Sequence, residues 1–324
     1  MANRKINKPF TLCSEIIAPG KMHTILCDFS NFYTSRRMKV PIHIFHGKEA
    51  GPRFFILSTL HGNELNGIEI INRLHKHQAL KKLKGTLITV PVANPFGLIL
   101  KTRQAAGQDI NRAFPGSKKG QLASRLAYFL SEDIIKKCDY GLDLHSGGKN
   151  LFNMPQVRID TSMEKLCDLA EAFGVSIIDS PVRKKSLRGF TMKLSIPLLV
   201  FEAGEAEKIN DECIEIGLQS VLNVLAGLDM INGKWSKKRS KPTYYRELIW
   251  IRAPAGGLLL NYKPINGHIK KNQVLAEILD PFDLDSAQQV KAPCAGTIVA
   301  KSTAPLVNEG DPLFHFAPDS KKTS

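Results

Sequence analysis

Between residues 54 and 230 the apolar positions switch repeatedly between two periods. "FFILSTL" (54–60) and "TLITVPV" (86–92) are unbroken apolar or β-branched runs of strand length. Between them Leu65, Ile68, Ile71 and Leu74 recur at helical spacing, which puts them on one face. "QLASRLAYFLSEDIIKK" (121–137) is a second amphipathic helix, running into the strand-like "YGLDLH" (140–145). "MEKLCDLAEAFG" (163–174) is a helix with a glycine stop, followed by the strand "VSIID" (175–179). "IPLLVFE" (196–202) reads as a strand and "ECIEIGLQSVLNVLAGL" (212–228) as a long closing helix. Strands alternating with helices predict an α/β fold: a mostly parallel mixed sheet flanked by helices.

The pattern then changes. "NGKWSKKRSKPT" (232–243) is polar, basic and proline-terminated, as in a linker. Beyond it glycines, prolines and short apolar runs predict a small all-β unit. The expected division is an α/β domain over 1–235 and a β-rich C-terminal domain over 236–324 that caps or gates the site. The tail repeats itself: "RAPAGGLLLNYKPINGHIKKNQVLAEI" is echoed by "KAPCAGTIVAKSTAPLVNEGDPLFHF". Two such halves resemble the barrel-sandwich of biotinyl and lipoyl carrier domains. The turn that carries the modified lysine there reads "LDPFDLDSAQQVKAP" here, and its lysine, Lys291, abuts the second half. A structural or gating role is therefore expected, not a carrier.

Composition narrows the function classes. With 324 residues, 43% hydrophobic and 23% charged, the chain can bury a sizeable core. "MANRKINKPFTLCSE" has no signal-like apolar stretch, and no apolar run reaches the roughly eighteen residues of a membrane span. A cytoplasmic protein without membrane attachment is expected. A net charge of +15 raises the question of nucleic acid. The basic residues, however, fall in short scattered groups with few aromatics between them and no nucleic-acid-binding signature. They read as solvated faces, with a positive field that draws in small anions. The six cysteines (13, 27, 138, 167, 213, 294) form no C-x-x-C pair and are expected to be reduced.

Open α/β sheets bind ligands at the carboxyl ends of their strands. Four groups fall at such ends: His61, Asn94, His145 and Glu202. His61 and Glu64 lie three apart, a pattern that also arises by chance, as in the decoy "HGKE" (His46, Glu49). The decoy's histidine precedes the strand that should present it. Two histidines and a carboxylate with an open fourth position suit a catalytic zinc, one ion per chain. Asp143 shares a strand face with His145, as an orienting partner or as an ordinary edge carboxylate.

"HGNELNGIE", "VPVANPFG", "TRQAAGQDINRAFPG", "DLHSGG" and "VFEAGE", with "APAGGLL" and "PLVNEGDPLF" in the tail, resemble the succinylglutamate desuccinylase and aspartoacylase family. That family is a branch of the zinc carboxypeptidase superfamily. The resemblance implies a carboxypeptidase-like sheet, with zinc on His61, Glu64 and His145. It makes Glu202 the general base and acid that takes a proton from the attacking water and returns it to the leaving amine. Glu205 is a rival for that role. Arg103 would stabilise the oxyanion, and Asn111 and Arg112 of "DINR" would hold the substrate carboxylate. Arg188 would serve a second anionic group, and Asn94 completes the substrate-binding set. The aspartoacylase branch has a tyrosine shortly after an Asn-Glu pair; here Asn308-Glu309 is followed by "GDPLF". That departure points away from N-acetylaspartate and toward the broad bacterial deacylase-type members.

The expected activity is zinc-dependent hydrolysis of an N-acyl amino acid, or a related small carboxylate-bearing amide, to a carboxylic acid and a free amine. The partner is thus a small-molecule substrate; assembly into a homo-oligomer is left open. Two other readings stand beside it. A metallocarboxypeptidase acting on peptides would need an open groove, and a non-catalytic anion- or metal-binding protein would use the same basic surface.

Overall fold

The computed structural model describes residues 5–31, 37–233, 242–260 and 267–319. Four parallel strands form the middle of a thirteen-stranded sheet, in the order Leu198–Glu205, Tyr140–Gly147, Glu49–Ser58, Lys84–Val90. Their near-continuous apolar runs follow from burial on both faces. Phe54 and Ile56 point into one layer, against the helices Asn66–Lys76, Glu164–Phe173 and Asp211–Gly227. Phe55 and Leu57 point into the other, against the helix Leu122–Phe129 and an N-terminal hairpin. Gly174 takes a left-handed φ of 82° and ends its helix where the glycine stop was expected.

Parallel pairing in this path is confined to those four strands. On one flank Arg37–His46 and Lys21–Asn31 join antiparallel. On the other lie Leu151–Ile159 and then, from the C-terminal third, Gly296–Ser302, Pro312–Pro318 and Ile249–Arg252, all antiparallel. A parallel neighbour needs a crossover of about a dozen residues or more. Residues 148–150 alone separate Tyr140–Gly147 from Leu151–Ile159, so the chain doubles back, and Leu198–Glu205 later inserts between the two. Ser176–Asp179 adds a parallel pairing beside Leu151–Ile159.

Tyr244–Tyr245 and His268–Ile269 also join the large sheet, and the remaining tail strands, Gly257–Leu260, Val274–Asp280, Asp283–Lys291 and Leu306–Val307, form a four-stranded antiparallel sheet. A separate core of Leu275, Ile278, Ile298, Phe314 and Phe316 fills it. The repeated basic-Ala-Pro starts lead into Gly257–Leu260 and Gly296–Ser302. Most of the expected linker, residues 234–241, lies outside the described residues.

One expectation is corrected. Cys13 and Cys27, expected to be reduced, are joined in a disulfide with their Cα atoms 6.1 Å apart. Cys13 sits in the tight turn of the hairpin Phe10–Leu12/Glu15–Ile17, which packs back onto the strand carrying Cys27. Spacing alone carries no trace of that fold-back. The other four cysteines are free thiols. Among the described residues no helix is long and apolar enough to cross a membrane.

Candidate metal centre and active site

The strand Glu49–Ser58 delivers His61 through a sharp turn. Thr59 adopts a left-handed φ of 55° and Leu60 is buried beneath it. Gly62 donates its N–H to the Thr102 carbonyl at 2.9 Å. A Cβ at Gly62 would lie 1.8 Å from the Gly97 carbonyl carbon, so the close approach of these two loops requires glycine. Glu64 follows, just before the helix Asn66–Lys76, and its N–H returns to the His61 carbonyl at 3.1 Å. His145 stands on the adjacent strand near its carboxyl end. His61, Glu64 and His145 are all buried.

Their donor atoms converge. Nδ1 of His61 lies 2.8 Å from Glu64 Oε1, and Nδ1 of His145 lies 2.8 Å from Oε2. One ligand atom from each residue falls within 4.8 Å of the others, an arrangement that could hold a metal ion. The opposite ring nitrogens rest on carboxylates: His145 Nε2 is 2.7 Å from Asp143 Oδ2, and His61 Nε2 is 3.3 Å from Asp109 Oδ1. Such rear anchors fix the ring orientation and aim both Nδ1 atoms at one point. Asp143 therefore sits where an orienting partner would. Asp109 was not foreseen, because it comes from the loop strand Gln108–Asp109, which has no legible period.

The electrostatics of the cluster favour positive charge. Burial pushes Glu64 up, but the flanking imidazoles outweigh it and hold the carboxyl at about 2. Burial pushes His145 down, yet Asp143 and Glu64 raise it well above the ordinary value. His61 is raised in the same way: Glu64 and Asp109 overcome the effect of burial. The cluster holds positive charge tightly, whether as protons or as a metal ion.

Glu202 pairs in register with His145 across parallel strands, and a bulge follows at Gly204 with φ of 78°. Its Oε2 accepts from Asn153 Nδ2 at 2.9 Å, and its Oε1 lies 3.6 Å from Arg158 Nε. The rival Glu205 is buried against Lys208 at 2.9 Å and does not line the site cavity.

That cavity has a volume of about 830 Å³ and holds His61, Glu64, His145 and Glu202 together. Arg103, Asn111, Arg112 and Arg188 line it as well. Arg103 Nη2 lies 3.2 Å from Asp109 Oδ2, beside His61. Arg112 donates to the Asn111 carbonyl at 2.6 Å, and Asn111 Oδ1 accepts from the Leu187 N–H at 2.9 Å. Arg188 donates to the Ser180 hydroxyl and carbonyl at 2.8 and 2.9 Å. Burial and the neighbouring Arg158 pull its pKa down to about 10.

Asn94 is the exception among the expected residues. It is fully buried and caps the helix Pro95–Ile99, accepting from the Gly97 N–H at 2.8 Å. Its amide donates to the carbonyls of Leu60 and Gln104, both at 3.3 Å, and it does not reach the cavity. A helix-capping asparagine also marks a strand end, so the two roles look alike in sequence. The decoy His46 does end a strand, but that strand runs antiparallel and leaves it at the opposite edge, bonded to Thr86 Oγ1 at 2.9 Å.

The structure adds cavity residues that the sequence did not flag: Asn153, Arg158, Trp250 and His315. The first two lie on Leu151–Ile159, where polar positions break the strand pattern. The other two come from C-terminal strands and stack at 4.4 Å with an 11° interplanar angle.

The profile of the succinylglutamate desuccinylase/aspartoacylase catalytic domain matches residues 50–228, the stretch that carries His61, Glu64, His145 and Glu202. The chain belongs to that family. The chain is 23% identical over 293 residues to the N-alpha-acetyl-L-2,4-diaminobutyric acid deacetylase of Halomonas elongata, covering 86% of this chain and 85% of the relative. A succinylglutamate desuccinylase/aspartoacylase crystal structure from Rhodobacter sphaeroides superposes with a TM-score of 0.81 at 22% identity, over 94% and 96% of the two chains. The product-bound ectoine utilization protein EutE (DoeB) from Ruegeria pomeroyi gives 0.80 at 17% identity, over 92% and 95%. At these identities the structures establish a shared family fold over nearly the whole chain.

Proposed function

We propose that this protein is a zinc-dependent deacylase that cleaves a small N-acyl amino acid to a carboxylic acid and a free amine. The observation that carries the reading is the meeting of His61, Glu64 and His145 with Glu202 in one arginine-lined cavity. Two imidazole Nδ1 atoms and a carboxylate, each imidazole anchored from behind, form a donor set that fits zinc. Zinc held by His61, Glu64 and His145 would supply Lewis acidity toward the amide carbonyl and the attacking water.

The chain's own residues supply the rest. Glu202, in register with His145, accepts the water's proton and delivers it to the leaving nitrogen. Arg103, beside His61, faces the negative charge that develops on the carbonyl oxygen. Arg112 and Asn111 take the substrate carboxylate. Arg188, with Arg158 beside it, suits a second anionic group. The Halomonas relative acts on an acylated diamino acid by its name, and this arginine wall favours an acidic side chain or acyl group instead. A peptide-cleaving carboxypeptidase would need an open groove, and the Trp250–His315 stack walls the cavity from the C-terminal side.

The test is primary-amine release by zinc-loaded protein from N-acetyl, N-succinyl and N-formyl amino acids and short peptides, with a chelated blank. Chelator-sensitive release from an N-acyl amino acid is expected; release from peptide C-termini alone would transfer the assignment to carboxypeptidase. Glu202→Ala should keep its zinc and lose about 10² to 10⁴ in turnover. His145→Ala should lose both. A fully active Glu202→Ala protein would overturn the mechanism.

A further inference from the structure

A glutamate side chain turns easily about its last torsion, which is broad and roughly two-fold. A base that must meet a proton in one direction therefore needs a second group to set it. Among the described residues the hydrogen bond to the Glu202 carboxylate comes from Asn153, whose Nδ2 lies 2.9 Å from Oε2. Asn153 is 2% exposed and belongs to Leu151–Ile159, which supplies none of the candidate metal ligands.

The backbone explains the contact. Leu151–Ile159 pairs Gln156 with Glu202 and Asn153 with Gly204, with a register shift between the two pairs. That irregularity coincides with the bulge after Glu202 and brings the Asn153 amide alongside the carboxylate. On its other edge Asn153 pairs with Ala300, so its backbone is held from both sides. Asn153 Oδ1 is buried without a hydrogen-bond partner among the described residues. Leaving a buried acceptor unmet is unfavourable, which marks the amide as held for what its Nδ2 does. The other oxygen, Oε1, already faces the charged Arg158 Nε at 3.6 Å, and the amide fixes Oε2 without adding a further charge.

We propose that Asn153 is a positioning residue: its amide holds the Glu202 carboxylate in the one rotational setting from which it exchanges protons with the attacking water and the leaving nitrogen. The inference rests on the reading of Glu202 as general base, and the test separates the two.

Asn153→Leu keeps the size and removes the donor; Asn153→Asp keeps the shape and replaces the donor with a repelling oxygen; Asn153→Gln keeps the donor on a longer arm. With zinc content and melting temperature measured for each, Asn153→Leu should lower kcat about 10- to 100-fold with KM little changed. Asn153→Gln should recover part of that loss. Asn153→Asp, which sets a repelling oxygen against Glu202, should lower kcat at least as far as Asn153→Leu. In a Glu202→Gln background Asn153→Leu should cost nothing further. Wild-type kcat in Asn153→Leu, a loss that follows zinc content, or an equal loss in the Glu202→Gln background would overturn the inference while Glu202 kept its role. Full activity in Glu202→Gln alone would remove the general base and this inference with it.

Discussion

Asp143 shows how much a single side chain can decide. Its carboxylate lies 2.7 Å behind His145 Nε2, so the ring's other nitrogen is aimed at Glu64 and at the candidate metal position. Asp143→Asn should weaken zinc binding about 10- to 100-fold, measured by competition with a chromophoric chelator; an unchanged affinity would remove Asp143 from the metal's support. The candidate residues legible in the sequence are those toward the carboxyl ends of buried parallel strands: His61 just past one, His145 and Glu202 within the last residues of two others. There an apolar run stops on a polar group, and the topology puts that group at the ligand-binding edge. Asp109, Asn153 and Arg158 were hidden because they enter from a loop and from an antiparallel strand with mixed polarity. Asn94 stands at the end of a strand as expected, but there it caps a helix and lies off the cavity, and the sequence does not separate those two roles.

At the level of elements, the approach of the His61 turn to the Pro95–Ile99 helix is the most exacting contact around the site. The Cβ of an alanine at Gly62 would meet the Gly97 carbonyl carbon at 1.8 Å and the Leu98 nitrogen at 2.1 Å, and no side-chain rotation relieves a clash with backbone. Gly62→Ala should cost about 1–3 kcal/mol or more by urea unfolding and should also lower zinc stoichiometry, since His61 and Glu64 ride on the same turn. Wild-type zinc content in that variant would mean the turn tolerates the displacement. The central parallel strands between 54 and 205 were legible because burial on both faces leaves continuous apolar runs, and the longer helices because their apolar residues recur at helical spacing; Leu151–Ile159, with its mixed polarity, was not. Lys21–Asn31 escaped notice: Ile25 and Cys27 are buried while Met22 and Leu26 are exposed, so apolar residues at both parities erase the period.

Across the whole molecule, two histidines far apart in the fold give stability a common pH dependence. Burial and the nearby His43 push His75 to about 4, and burial and Arg158 push His315 to about 4. Both have an ordinary value of 6.5. Between those limits the unfolded chain binds more protons than the folded one, so these groups make stability fall as pH drops from about 6.5 toward 4. Above 6.5 they contribute no slope. Melting temperatures of wild type and of a His75→Gln, His315→Gln double variant should converge as the solution is acidified through that window; parallel curves would refute the account.

The antiparallel seam between Leu151–Ile159 and Gly296–Ser302 bears on how far this protein can be taken apart. The same strand is a rung of the catalytic sheet on one side and of the C-terminal strands on the other. A catalytic half severed from its tail would carry a raw, sticky edge, the kind of template on which strands from other chains add. The tail is therefore not a portable module, and exchanging it between relatives would succeed only where the donor's strand can knit into the same row of hydrogen bonds.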